Sequence, residues 1–135
     1  MSLLREYIQK TLSQIRPPDD SKFSINGIPL DLEVVDTPDK IQMGLMFREK
    51  LAANGGMIFI FQDVQPRSFW MRNTKIPLSI AYADREGVII NIEDMEPFSD
   101  RRILSKAPAF CALEMNQGWF DDNKIKPGDV IVGVK

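Results

Sequence analysis

The 135-residue sequence contains no histidine and only one cysteine, Cys111. Without imidazole it lacks the commonest general base, the commonest zinc ligand and the usual pH switch. Ser-His-Asp and Cys-His triads are excluded within the chain. A lone cysteine excludes an intrachain disulfide. No apolar run approaches the ~18 residues that a membrane span needs, so no membrane span is expected. Positive charge is not in excess: 17 Lys and Arg face 19 Asp and Glu, for a net charge of -2. That balance argues against a general nucleic-acid binder. Gly55-Gly56 is not followed by Gly-Lys-Ser/Thr, so the sequence holds no phosphate loop. Asp121, Asp122 and Asp129 lack the spacing of an EF-hand. There is no internal repeat and no low-complexity tract.

What is present is ordinary globular composition, 44% hydrophobic and 27% charged. The length suits one domain with a core of its own. Leu3, Leu4, Tyr7, Ile8, Leu12 and Ile15 recur at helical spacing. They predict an N-terminal amphipathic helix which, with its Pro17-Pro18 linker, occupies residues 1–18. Arg5, Glu6, Gln9 and Lys10 interrupt the apolar core that a signal peptide needs, so a cytoplasmic location is expected. This helix is either a membrane-surface or partner-docking element or, more plainly, packs on its own domain.

Residues 22–135 read as a single β-sandwich domain. Phe23 and Ile25, then Asn26-Gly27, then Ile28, Leu30, Leu32 and Val34 form a hairpin pattern, because both turn residues tolerate positive φ. Pro29 predicts an edge strand or a late start. Thr37 and Pro38 mark a helix start, with Asp39 at the positive end of the dipole. That helix is expected to run to about Met46, with Gly44 inside it for close packing. Met57 to Phe61 reads as a strand covered on both faces, and Ser68 to Met71 as another. Leu78 to Ala83 and Val88 to Ile92 form a hairpin, followed by a long polar loop from Glu96 to Pro108. Ala109 to Met115 is a strand, and Gln117 to Asn123 a helical turn. Lys126-Pro127-Gly128-Asp129 fits a type II turn, with Val130 to Val134 as a closing strand. The fold class is therefore mainly β: a β-sandwich or jelly-roll-like barrel with one or two short helices and an N-terminal helix.

The densest chemistry lies in Ser68-Phe69-Trp70-Met71-Arg72-Asn73-Thr74. On a strand, Phe69 and Met71 share one face and Trp70 and Arg72 the other. The latter pair would make an aromatic platform with a cationic edge, suited to a polar ligand or peptide. The plainer arrangement, which composition alone favours, has Trp70 packed on a helix, Arg72 solvated, and Asn73 and Thr74 bonded to their own loop. Arg48 can grip a carboxylate bidentately or simply be an exposed charge near a helix end. Glu114 interrupts an otherwise apolar strand, so it faces solvent, pairs with Arg48 or Arg72, or is buried with a raised pKa. Exposure or pairing is the plainer reading. Met43, Met46, Met57 and Met71 with Cys111 invite a soft-metal reading. Core spacing and the gap-filling habit of methionine outweigh it, so no metal and no cofactor are expected.

Several of these stretches resemble one family. Gly44-Leu45-Met46-Phe47-Arg48, Gly56-Met57-Ile58-Phe59 and Phe69-Trp70-Met71-Arg72-Asn73-Thr74 with Ile76-Pro77-Leu78 resemble the uncharacterised prokaryotic Domain of Unknown Function 192. Leu113-Glu114-Met115-Asn116-Gln117-Gly118 and Gly128-Asp129 are also similar to its pattern. The likeness covers roughly Leu32 to Val134. It implies a β-sandwich or jelly-roll-like fold with a helix near the first motif, and no established activity. It adds weight to Arg48, Trp70, Asn73, Thr74 and Glu114 as a shared site. One departure stands out: the family often has Leu-Asp-Ile where this chain has Leu78-Ser79-Ile80. A catalytic role for that aspartate would be lost here. Relatives often carry an export signal, and none is found in this chain.

Three functions follow as expectations. The first is a binding module whose groove, lined by Met46, Trp70 and Met71 and edged by Arg48, Arg72 and Asn73, takes a small polar molecule or peptide. The second is a hydrolase using Glu114 as acid/base, with Arg48 or Arg72 stabilising negative charge. The third is a partner-docking protein that uses the N-terminal helix or an open sheet edge.

Overall fold

In the computed structural model, which describes residues 22–134, strands β1 (Phe23–Ile25) and β2 (Ile28–Val35) are joined at Asn26-Gly27. Both turn residues have positive φ, 50° and 81°, as the hairpin signal requires. The helix expected over residues 1–18 lies outside the described residues. Pro29 faces Ser24 of β1, and the parallel ladder from β2 to β3 (Gly55–Gln65) starts only at Asp31. Thus β2 is an interior strand that keeps its proline ahead of that ladder.

Helix α1 (Pro38–Met43) begins as the sequence predicts. Thr37 Oγ1 accepts from the Lys40 amide at 3.4 Å, Pro38 opens the first turn and Asp39 sits in it. It stops sooner than expected. Gly44, at φ 51° and ψ -132°, occupies backbone space open to glycine alone, and its amide donates to the Lys40 carbonyl. Gly44 therefore ends the helix instead of sitting inside it.

The strand expected over Met57 to Phe61 is the middle of the longer β3, whose pairing with β8 (Ala109–Asn116) shifts register between Ile60 and Gln65. Strands β5 (Leu78–Ala83) and β6 (Ile89–Met95) form the expected hairpin, with Asp84 Oδ1 accepting from the Glu86 and Val88 amides. The strand expected over Ser68 to Met71 is shorter, β4 (Ser68–Phe69), paired with β7 (Ile103–Leu104) inside the long polar loop. Helix α2 (Trp119–Asp122) follows β8, and the Pro127-Gly128 turn leads to β9 (Ile131–Val132). Gly128 has φ 99° and the Asp129 amide donates to the Lys126 carbonyl, as in a type II turn.

Seven strands form one sheet in the order β6-β5-β8-β3-β2-β1-β9, and β4-β7 lies apart. Hydrogen bonds from Ile89 to Asp129, Gly128 to Ile89 and Ile131 to Gly87 draw the two ends of the sheet together. The result is a strongly curled half-barrel with two short helices, so the barrel-like form of the expected mainly β fold describes it. Among the described residues no helix is long and apolar enough to cross a membrane.

The central strands are apolar on both faces, which gives two cores. The first contains Ile25, Ile58, Ala81, Cys111, Leu113 and Ile131, so it draws on strands from across the curled sheet. The second contains Met57, Phe59, Met71, Ile80, Tyr82 and Ala112, under α1 and the β4-β7 pair. This separation undoes the soft-metal set: Cys111 belongs to the first core, Met57 and Met71 to the second, and Met43 is exposed.

Candidate functional site

The second face of the sheet carries a cavity of about 420 Å³, open on one side. Its floor is β8 and β3, through Glu114, Phe59 and Phe61. The turn after α1 supplies Gly44, Leu45 and Met46. The β4 segment supplies Arg67, Phe69, Trp70 and Met71, and Arg102 reaches in from just before β7. The volume falls in the range of small-molecule pockets, and the walls mix apolar side chains with Gln42, Arg67, Ser68, Thr74, Arg102 and Glu114.

The walls are fixed by local chemistry. Phe69 packs edge-on against Phe59 at 4.8 Å, Tyr82 at 5.9 Å and Phe61 at 6.3 Å between ring centroids. Tyr82 donates to the Ile103 carbonyl at 2.6 Å, which ties β5 to β7. Past Phe69 the chain leaves the strand and turns, with the Thr74 amide donating to the Met71 carbonyl. Asn73 takes φ 54° in that turn, a conformation asparagine tolerates. Its carbonyl accepts from the Phe47 amide at 2.9 Å. The Gly44–Arg48 and Trp70–Thr74 blocks thus meet through main chain.

Glu114 is the unusual group. The register sets it between Met57 on β3 and Ile80 on β5, so it points to the second face. It is 3% exposed. Four polar side chains are buried: Thr74, Ser79, Asn91 and Glu114. Thr74 donates to the Arg72 carbonyl, Ser79 to Asp94, and Asn91 bonds the Leu104 carbonyl and the Lys106 amide. Glu114 alone has no hydrogen bond or ion pair among the described residues. Burial pushes its carboxyl up to about 8, so it holds a proton at neutral pH. Of the readings open to it from sequence, burial with a raised pKa is the one observed.

The other sequence candidates divide. Trp70, Met71, Thr74 and Glu114 line the cavity together with Met46. Arg48, Arg72 and Asn73 do not. Arg48 grips Glu33 bidentately at 2.8 and 3.1 Å on the surface. Arg72 lies 4.0 Å from the Trp70 ring centroid and pairs with Asp100 at 3.3 Å. Asn73 is exposed and shapes the turn. Ser79, at the family's aspartate position, sits opposite Met115, on the other face from Glu114. Its hydroxyl donates to Asp94 and accepts from the Gly118 amide.

Among the cavity residues that escaped sequence reasoning are two cations, Arg67 and Arg102. Arg67 stacks on Phe61 at 3.8 Å and bonds Asp63 and the Ala109 carbonyl. Arg102 lies 4.3 Å from the Trp70 centroid and contacts Ser68 Oγ at 3.5 Å. Nothing local marks Arg67. The only signal for Arg102 is its place in a long polar loop. No group of three or more Cys, Asp or Glu is arranged to hold a metal among the described residues.

The sequence model of the DUF192 family, described as Uncharacterized ACR, matches residues 21–133. No curated protein matches. A protein of known structure from Sinorhizobium meliloti 1021, provisionally described as a transcription regulator, is 34% identical. The likeness covers 76% of this chain and 80% of that one, with a TM-score of 0.74. A protein of unknown function from Novosphingobium aromaticivorans DSM 12444 is also 34% identical, with a TM-score of 0.74. It is matched over 76% of this chain and 74% of its own.

Proposed function

We propose that this chain, which belongs to the Domain of Unknown Function 192 family, is a binding module for a small polar molecule or a peptide-like segment. The observation that carries the reading is Glu114: a buried carboxyl with no hydrogen bond or ion pair among the described residues, in the wall of an open cavity. Burying such a group without a bond costs stability, and structures retain the cost where the group serves a ligand. Trp70 and Met71 give the ligand an apolar wall, while Thr74 and Arg102 add polar atoms.

Binding is favoured over hydrolysis because the cations once paired with Glu114 in that scheme are engaged elsewhere. Arg48 holds Glu33, and Arg72 holds Asp100 against Trp70. A sensing role is compatible with the provisional description of the Sinorhizobium meliloti relative as a transcription regulator. The acidic balance of this chain lends no support to direct contact with DNA.

A thermal-shift screen of metabolites and short peptides tests the proposal, since a ligand that binds only the folded state raises its melting temperature. At least one stabilising ligand is expected, and its affinity falls in Trp70→Ala. If Trp70→Ala leaves the affinity of every confirmed ligand unchanged, the site assignment is wrong.

A further inference from the structure

We infer that the cavity takes a small amphoteric molecule of the ω-amino acid type, with its ammonium at Glu114 and its anionic end at Arg102. The inference rests on the binding reading above and names the ligand class for the same site.

Glu114 is where the ammonium would sit. Its neighbours across the sheet, Met57 and Ile80, offer no donor. Two of the charged or titratable groups beside it are held elsewhere, while Arg102, in the wall of the same cavity, has no carboxylate partner among the described residues. Tyr82 on β5 donates to the Ile103 carbonyl. Arg67, before β4, is held by Asp63, the Ala109 carbonyl and the Phe61 ring. The residues α1 gives to the cavity, Ile41, Gln42 and Met43, carry no charge. A buried carboxylate needs a cation and hydrogen-bond donors, and an ammonium supplies one charge and three donors. Among the described residues no such group is bonded to Glu114, and a ligand ammonium would supply both.

Arg102 is where the anionic group would sit. Its guanidinium lies against Trp70 and contacts the Ser68 hydroxyl, with no carboxylate in reach among the described residues. A guanidinium resting on an aromatic ring keeps its edge donors free for a bidentate anion. The same cavity is lined by Met46, Phe59, Phe61 and Met71, apolar surface on which a methylene chain would pack. A cavity of about 420 Å³ has room for such a molecule.

The proton balance is definite. In the empty site at neutral pH Glu114 is a neutral acid, because burial raises its pKa to about 8. An arriving ammonium converts it to a carboxylate, so its proton leaves to the buffer. Binding therefore releases close to one proton at pH 6.5–7 and tightens as pH rises toward about 8. A neutral ligand that accepts a hydrogen bond from the protonated acid has the opposite pH dependence.

The test is titration calorimetry of the full chain with a homologous series of ω-amino acids, from 3-aminopropanoate to 8-aminooctanoate. Each is matched by the n-alkylamine and the n-alkanoate of equal length, in buffers of different ionisation enthalpy. Expected are binding of one chain length above its neighbours, proton release, and a weaker amine. Glu114→Gln loses roughly 30-fold or more in affinity for both amino acid and amine. Arg102→Ala loses about two- to five-fold for the amino acid and nothing for the amine. Because the glutamine keeps the shape and replaces a carboxyl that has no partner among the described residues, loss of folding is not expected, and proton release is read on the wild type alone. Binding of alkanoates or neutral amides without proton release overturns the ligand class and leaves the binding reading standing. No binding by any member of the series, with other ligands found by the thermal-shift screen, also overturns the ligand class. No ligand in either experiment overturns both.

Discussion

The two faces of the curled sheet are built from the same strands and have opposite characters. On β8, Cys111, Leu113 and Met115 enter an apolar core, and the buried polar group on that face, Ser79, has both its bonds. One residue over, Ala112 and Glu114 face a core interrupted by a cavity, and Glu114 has no partner there. The first face holds the sheet in its curl, with Ile58 and Ile131 in one cluster. Its thiol is inert, with burial raising the Cys111 pKa to about 12. The second face keeps an unpaired acid and a gap in its packing. A sealed core and a cavity with a buried acid are separated by a single step of the β alternation.

Four substitutions break or sharpen this contrast. Leu113→Ala, on the first face, is expected to cost about 3–5 kcal/mol, because a fully buried site in a dense core cannot collapse around the gap. The loss is read from urea midpoints and is the same at pH 5 and pH 8. A loss that varies with pH would show that the two faces are coupled.

Glu114→Gln goes the other way. The folded-state pKa lies above the unfolded value near 4.5, so the wild type is most stable below pH 4.5 on this account and loses that stability as pH rises through about 8. At pH 8 the variant is expected to gain on the order of 3–4 kcal/mol, and the gain vanishes at pH 4.5. Denaturant curves of the two proteins across that range check it. A pH-independent difference would mean that Glu114 finds a partner in solution.

Tyr82→Phe removes the bond that ties β5 to β7 and leaves the Ile103 carbonyl without its donor. About 1–2 kcal/mol of stability is expected to go. Faster amide exchange in Ile103 and Leu104 than in β8 would confirm that the second face loosens first. Arg48→Ala has the smallest effect, below about 1 kcal/mol, since the Glu33 pair is exposed. It also leaves ligand affinity unchanged. A marked loss of affinity would bring Arg48 back into the site.

Local chemistry was legible in the sequence wherever a few adjacent residues decide it. Asn26-Gly27 and Pro127-Gly128 make their turns by backbone preference, and Thr37-Pro38 caps α1 with its own side chain and ring. Gly44 was misplaced because a glycine inside an apolar pattern reads the same whether it continues a helix or ends one. β4 was overextended because alternation persists through Trp70 and Met71 although the ladder has stopped. The resemblance to the family pointed at Trp70, Thr74 and Glu114, which do line one cavity, and equally at Arg48 and Asn73, which do not. Arg48 is drawn away by Glu33, a residue 15 positions earlier, and such a pairing leaves no mark on either neighbourhood.

By itself the sequence determined that this is a mainly β domain without imidazole, disulfide or phosphate loop. It set the turns and the start of α1, and it put an acid into an apolar strand. These follow from composition and from contacts between near neighbours. The tertiary structure alone decided that the acid is buried without a partner among the described residues. An apolar strand covered on both faces does not say which face is sealed and which is open. That is settled by residues distant along the chain, the turn after α1 and the segments around Arg67 and Arg102, which build a wall over Glu114 and leave space beside it.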